Sequence, residues 1–288
     1  MSKELIVYKA NELIRASYEL SLSEQRVILL CIANINSSED IPKDYQFTIT
    51  TEAMARELGV SRVNAARDLK TAVNKLYNRT IKIDSRDDSE MRWLYKKAFF
   101  ESSGVAVIHI SPSLFPFLFE LKKCFTSYHL KYVAQFKSAY SIRVYELLRQ
   151  FKKETQLCVD VGWLREALQL GDKYPRTSDI KKKIVLPAIA DIQEFSDLNV
   201  SYEQVKYGKE IVKFIFKYAP KKTPQTKSNA TKPLIPLFTG HPEYPVDSEA
   251  VLEEHQRLKE KPEANVKKTL DSDKKSKITG LKRAIKHG

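Results

Sequence analysis

The feature that most constrains this chain is an order of patterns that occurs twice. An amphipathic helical stretch comes first each time: LSLSEQRVILLCIANI, helical from Leu22, and SAYSIRVYELLRQF from Ser138. Each opens on a serine placed to cap the helix, with apolar residues at helical spacing behind it. A short β run follows, FTIT from Phe47 and LCVDV from Leu157, leading into TEAMAREL and GWLREALQL. Both halves then turn into a further helical stretch, GVSRVNAARDLKTAVNKL in the first and GDKYPRTSDIKKKIVLPAIADIQEF in the second. Each ends on two β-branched stretches around a polar connection, TIKID with VAVIHIS and LNVSYEQV with EIVKFIFKY.

Helix, strand, helix, turn, helix and hairpin is the succession of a winged helix-turn-helix domain. The expected fold class is therefore α+β, with two such domains in tandem; a plain α+β arrangement of short elements is the competing reading. The first domain is expected over 1–122 and the second over 123–220, with the connection in 120–137. From Pro220 the composition turns to Pro, Lys, Thr and Ser and then to mostly charged residues, which predicts a flexible basic tail over 221–288.

With 288 residues, 42% of them hydrophobic, the chain can bury two cores, while its net charge of +13 calls for a polyanionic partner. A membrane is disfavoured. The one long uncharged stretch, 102–119, is broken by Gly104, His109, Pro112 and Pro116 and cannot span as one helix. The opening MSKELIVYKANEL has neither a signal-peptide core nor a cleavage site, so a cytoplasmic location is expected. The three cysteines, Cys31, Cys124 and Cys158, are far apart and without CxxC spacing, as expected of reduced, buried thiols.

In the first half, Leu58 closes a helix, Gly59 allows a tight turn, Val60 plugs the core and Ser61 caps the next helix. At about 100° per residue, Ala66, Leu69, Ala72, Val73 and Leu76 share one side of that helix. Asn64, Arg67, Thr71, Asn74 and Lys75 lie opposite, and Asn and Arg are the side chains that pair bidentately with base edges. A solvated face is an equal alternative. In the second half, Ile180, Ile184, Val185, Ala188, Ile189, Ile192 and Phe195 form the apolar side, with Asp179, Lys182, Lys183, Gln193 and Glu194 opposite.

Lys181 is directed toward the apolar side, so Arg176, Lys182 and Lys183 rank above it as ligands for an anion. Cations at a helix start are disfavoured by the helix dipole, and a bound phosphate reverses that. Pro187 cannot donate to the carbonyl of Lys183, which predicts a kink. The second hairpin carries Lys206, Gly208 and Lys209 at its tip, candidates for contacts beside a duplex.

Residues 1–220 resemble the initiator Rep proteins of theta-replicating plasmids with iterons. The residues carrying the resemblance are LSLSEQRVILL, YSIRVYELLRQF, WLREALQL, RTSDIKKKIVLPAIADI and LNVSYEQVKYGKEIVKFIF. The resemblance implies a plasmid replication initiator that binds direct repeats at the origin as a monomer and opens nearby DNA with host replication initiation proteins. It also implies homodimers in equilibrium with the monomer, repressing the protein's own gene through an operator inverted repeat. The second domain would be the main reader, through Arg176, Thr177, Ser178, Lys181, Lys182 and Lys183. The first would make a lesser contact through Asn64, Arg67, Lys70 and Thr71 and supply dimer contacts. The tail falls outside the resemblance; its LIPLF from Leu234 is similar to sliding-clamp docking motifs, without their leading Gln.

Catalysis is not expected. His109, His129, His241, His255 and His287 form no HxH pair for a metal, and Gly208-Lys209 lacks the partner glycine of a phosphate-binding loop. No cofactor is expected. A tandem winged-helix transcription regulator without initiation activity shares every feature above and differs in the sites it binds.

Overall fold

The computed structural model describes residues 5–34, 45–83, 89–119, 121, 124–151 and 154–221. The tail expected over 221–288, with its LIPLF segment, lies outside the described residues apart from Lys221.

The chain enters through strand β1 (Ile6–Ala10) and the short helix α1 (Asn11–Arg15), neither of which the sequence pattern announced. Helix α2 (Leu22–Asn34) begins on a reciprocal cap. The Glu24 amide donates to Ser21 Oγ at 3.3 Å, and the Ser21 amide donates to Glu24 Oε2 at 2.5 Å. Strand β2 (Gln46–Thr50), helix α3 (Thr51–Leu58) and helix α4 (Arg62–Leu76) follow in the expected order. Gly59 stands at φ 63° between the two helices, where a side chain would be strained. Ser61 Oγ accepts from the Asn64 amide. The buried side of α4 is Ala65, Leu69, Ala72, Val73 and Leu76; Ala65, not Ala66, completes it, because the rotation about the axis starts one residue earlier than the apolar spacing implied.

The first hairpin departs from expectation. Thr80 and Ile81 form β3 and pair with β4 (Met91–Arg92) in a small separate sheet, while β6 (Val105–Ile110) takes β5 (Leu94–Phe100) as its partner. The sheet order is β2-β6-β5. Lys96 and Lys97 interrupt the alternation of LYKKAFF; they pair with His109 and Ile108, and the register shift falls just ahead of them, between Leu94 and Lys96.

Helix α5 (Phe115–Leu118), strand β7 (Phe125–His129) and helix α6 (Lys131–Ala134) form the connection. Strand β7 pairs along its whole length with β1, Ile6 opposite His129. The second half repeats the first: α7 (Ala139–Gln150), capped by Ser138, then β8 (Gln156–Asp160) and α8 (Val161–Ala167). A helix over 177–195 and the long hairpin β9 (Leu198–Tyr207) and β10 (Glu210–Pro220) complete it. Its sheet order, β8-β10-β9, matches that of the first half strand for strand.

The buried apolar side chains form one cluster that runs through both halves. Polar groups stitch the seam: Lys9 pairs with Glu146 at 2.7 Å, both buried, and the Tyr128 hydroxyl donates to the same carboxylate. Of the three cysteines only Cys31 is buried; Cys124 is exposed and Cys158 half-buried, so the expectation of uniformly buried thiols fails at the turn before β7. No helix among the described residues is long and apolar enough to cross a membrane.

Candidate nucleic-acid interface

In the second half, strand β8 runs straight into α8 because Asp160 ends the one and caps the other. Its Oδ1 accepts from the amides of Gly162 at 2.7 Å and Trp163 at 3.2 Å. The stretch between α8 and the next helix is longer than in the first half and is held differently. Arg165 reaches back from α8, its Nη1 donating to the carbonyl of Tyr174 at 2.7 Å and its Nη2 to those of Gly171 and Lys173. A single guanidinium thus fixes the backbone just ahead of Arg176. Nothing in the residue pattern singled out Arg165, since its partners are main-chain carbonyls rather than a complementary side chain.

The basic helix then runs in three pieces: α9 (Thr177–Ile180), a π turn (Lys181–Val185) and α10 (Leu186–Phe195). The Leu186 amide donates to the carbonyl of Lys181, five residues back. The wider turn lies just before Pro187, whose missing N–H removes one ordinary bond from the ladder, so the expected kink takes the form of a π bulge. Ile180, Ile184, Val185, Ala188, Ile189 and Ile192 are buried as the helical rotation predicts, with Phe195 half-buried. Asp191 is buried among them, where its carboxylate accepts from the Lys137 amide at 2.9 Å and ties the connection to this helix.

Arg176, Ser178, Lys182 and Lys183 are exposed, and Thr177 and Lys181 half-buried. Lys181 turns inward as its place on the helix requires: its Nζ lies 5.9 Å from the ring centre of Tyr202 on β9. The start of the basic helix is therefore packed beside the hairpin. At the hairpin tip Gly208 and Lys209 form a two-residue turn with Gly208 at φ 60°. Lys206, Tyr207 and Lys209 project around it; Tyr207 is 58% exposed. Among the described residues no carboxylate pairs with Arg176, Lys181, Lys182, Lys183, Lys206 or Lys209.

The corresponding helix of the first half, α4, also exposes the residues singled out from the sequence: Asn64, Arg67, Lys70 and Thr71. Its charges are differently employed. Arg67 pairs with Asp68 at 3.3 Å, Arg62 with Glu52, and Lys70 with Glu101 at the tip of the β5–β6 hairpin. Lys97 on the same hairpin donates to Asn74. The hydrogen bond and charge of Lys70 hold the Glu101 carboxyl below the usual carboxylate range.

Two winged domains in one chain, with a free cationic helix start and hairpin tip on the second, define a tandem winged-helix protein of basic character. The chain matches the family model described as Initiator Replication protein, WH1, over residues 6–149. It also matches Initiator Rep protein, WH2, over residues 160–218. It belongs to this initiator replication protein family. A replication initiation protein of Escherichia coli is 30% identical over 207 residues, which are 68% of this chain and 65% of the relative's length. The PI protein of Escherichia coli is 23% identical over 76% of this chain and 84% of its own. The crystal structure of Pi initiator protein in complex with iteron DNA superposes with a TM-score of 0.66 at 21% identity, covering 77% of this chain and all of that one. That likeness is one of fold.

Proposed function

We propose that the protein is a plasmid replication initiator that binds the direct repeats of its origin as a monomer, chiefly through the second winged domain. The observation that carries this reading is the set of exposed cations on the second domain that have no carboxylate partner among the described residues, Arg176, Lys182 and Lys183 at the helix start and Lys206 and Lys209 at the adjoining hairpin tip. A helix entering the major groove by its first residues would bring Arg176, Thr177, Ser178, Lys182 and Lys183 to the DNA while its apolar side stays packed. Lys181 would contribute only from the wing side. The hairpin would lie along the flanking backbone and present Lys206 and Lys209 to phosphates or the minor groove.

The structural relative solved with iteron DNA supports the choice of ligand. The first domain would add a weaker contact through Asn64, Arg67, Lys70 and Thr71 and would pair subunits in a dimer that represses the protein's own gene. Host replication initiation proteins would join the monomer on the opened origin. The reading assigns the chain no catalytic step, and among the described residues no group of three or more His, Cys, Asp or Glu side chains is placed to hold a metal.

A footprint on the DNA flanking the gene tests it. Protection of several direct repeats with strand opening beside them is expected. Protection confined to a promoter palindrome, without opening, would replace initiation by transcriptional regulation.

A further inference from the structure

Helix α4 carries one large apolar side chain on its solvent side. At about 100° per residue Val63 falls beside Arg67, Lys70 and Asn74, opposite the buried Ala65, Leu69, Ala72 and Leu76. It is 80% exposed, more than any other large apolar side chain among the described residues; Tyr207 follows at 58%. Single apolar residues on a surface are ordinary, so exposure by itself assigns nothing. Three features of its surroundings do.

The first is place. Val63 is the second residue of α4, the helix that follows the turn of the first winged domain, and such a helix meets base edges by its first residues. The second is rigidity. Ser61 Oγ accepts from the Asn64 amide and ties down the turn that carries Val63. A valine in a helix keeps essentially one rotamer, so its two methyl groups are held in one direction before any partner arrives. The third is the company it keeps. Arg62, Arg67 and Lys70 pair with Glu52, Asp68 and Glu101, and Asn74 accepts from Lys97. Among the described residues the Asn64 and Thr71 side chains have no such engagement. Lys75 stands about 18 Å further along the axis from Val63. What the start of this helix leaves free is short and uncharged.

Side chains of that kind grip phosphates poorly and suit base edges. In the major groove the thymine 5-methyl is the apolar group, and adenine offers the acceptor and donor that an Asn amide matches. We propose that Val63 packs on a thymine methyl in the major groove and, with Asn64 on adenine, makes the first domain a reader of A·T pairs. The inference rests on the direct-repeat reading above and deepens it. The second domain supplies the pull on phosphates, and the first supplies discrimination with little charge.

The test replaces each thymine of a protected repeat, one at a time, by deoxyuridine, which pairs as thymine does but lacks the methyl group. Affinity is measured by gel shift at low salt. The native chain is expected to lose about fourfold at one position, the worth of one buried methyl group. Val63→Ala should bind the thymine repeat about fourfold less tightly, melt no lower than the native chain, and be indifferent to the methyl at that position. Lys182→Ala/Lys183→Ala should bind every sequence more weakly yet keep the same step at the same position, because charge and methyl act apart. A native chain indifferent to every thymine methyl, or a step of the same size in Val63→Ala, would overturn the contact while leaving the initiator reading in place. So would a Val63→Ala chain whose only change is weaker self-association in sedimentation, which would give the side chain to a second subunit. A native chain that protects no direct repeat would overturn both readings.

Discussion

The two winged domains share sheet order, capping serines and helix succession, yet their basic helices are in opposite electrostatic states. On α4 three of the four cations pair within the domain, Arg62 with Glu52, Arg67 with Asp68 and Lys70 with Glu101, while Lys75 in the last turn has no carboxylate partner among the described residues. On the helix over 177–195, Arg176, Lys182 and Lys183 face solvent with no such partner among the described residues. A count of Lys and Arg treats the two faces as alike. What separates them is where the domain's own carboxylates fall, and only the second helix offers its whole charge to a partner. The turns differ in the same spirit, one relying on the left-handed freedom of Gly59 and the other on the grip of Arg165 on three carbonyls.

The contrast can be broken most forcefully at the basic helix. Lys182→Glu with Lys183→Glu replaces attraction by repulsion at two positions, and repeat affinity should fall on the order of 10³-fold at physiological salt with the fold intact. Quantitative gel shifts beside circular dichroism would show it. Next in size is Arg165→Ala. Losing three charge-assisted bonds to one loop should cost about 3 kcal/mol in denaturant unfolding and loosen the segment that positions Arg176. The matching change in the first domain, Gly59→Ala, should cost about 1 to 2 kcal/mol for the strain of a left-handed alanine, and more where its Cβ displaces the Gln135 amide from the Leu58 carbonyl, and should leave repeat affinity nearly unchanged.

The smallest effect sharpens the comparison in the other direction. Glu101→Gln frees Lys70 and should raise DNA affinity roughly threefold at low salt, an advantage screened away as salt rises. Acid does the same. Because Lys70 lowers the Glu101 pKa, the pair survives below the ordinary carboxylate value near 4.3 and opens only as the pH falls further through the depressed value. The native protein's gain should therefore appear only below that ordinary carboxylate value, and the Gln variant should lack this step.

How much was legible in the residues follows from the range of the interactions. The Leu58-Gly59-Val60-Ser61 turn, the capping serines and the faces of both basic helices rest on contacts within a few positions, and the structure places them where spacing implied, save that Ala65 replaces Ala66 on the apolar side of α4. Even the inward turn of Lys181 was readable from its angle on the helix. Strand β5 was not, because Lys96 and Lys97 hide its alternation, and TIKID took its place in the expected hairpin. Strand β1 was missed because its partner lies over a hundred residues on, at Phe125–His129. The ion pairs that silence α4 were equally hidden: Lys70 and Glu101 meet only after the hairpin folds over the helix.

The central claim is that unpaired charge, not total charge, marks the surface that holds DNA. Its most direct test compares the salt dependence of repeat binding for the native chain, Lys182→Ala/Lys183→Ala and Arg67→Ala/Lys70→Ala. Each phosphate contact contributes about 0.9 to the slope of log affinity against log salt, so the first variant should lower that slope by about two and the second by less than one half. A slope lowered equally by both, or more by the pair on α4, would contradict the account.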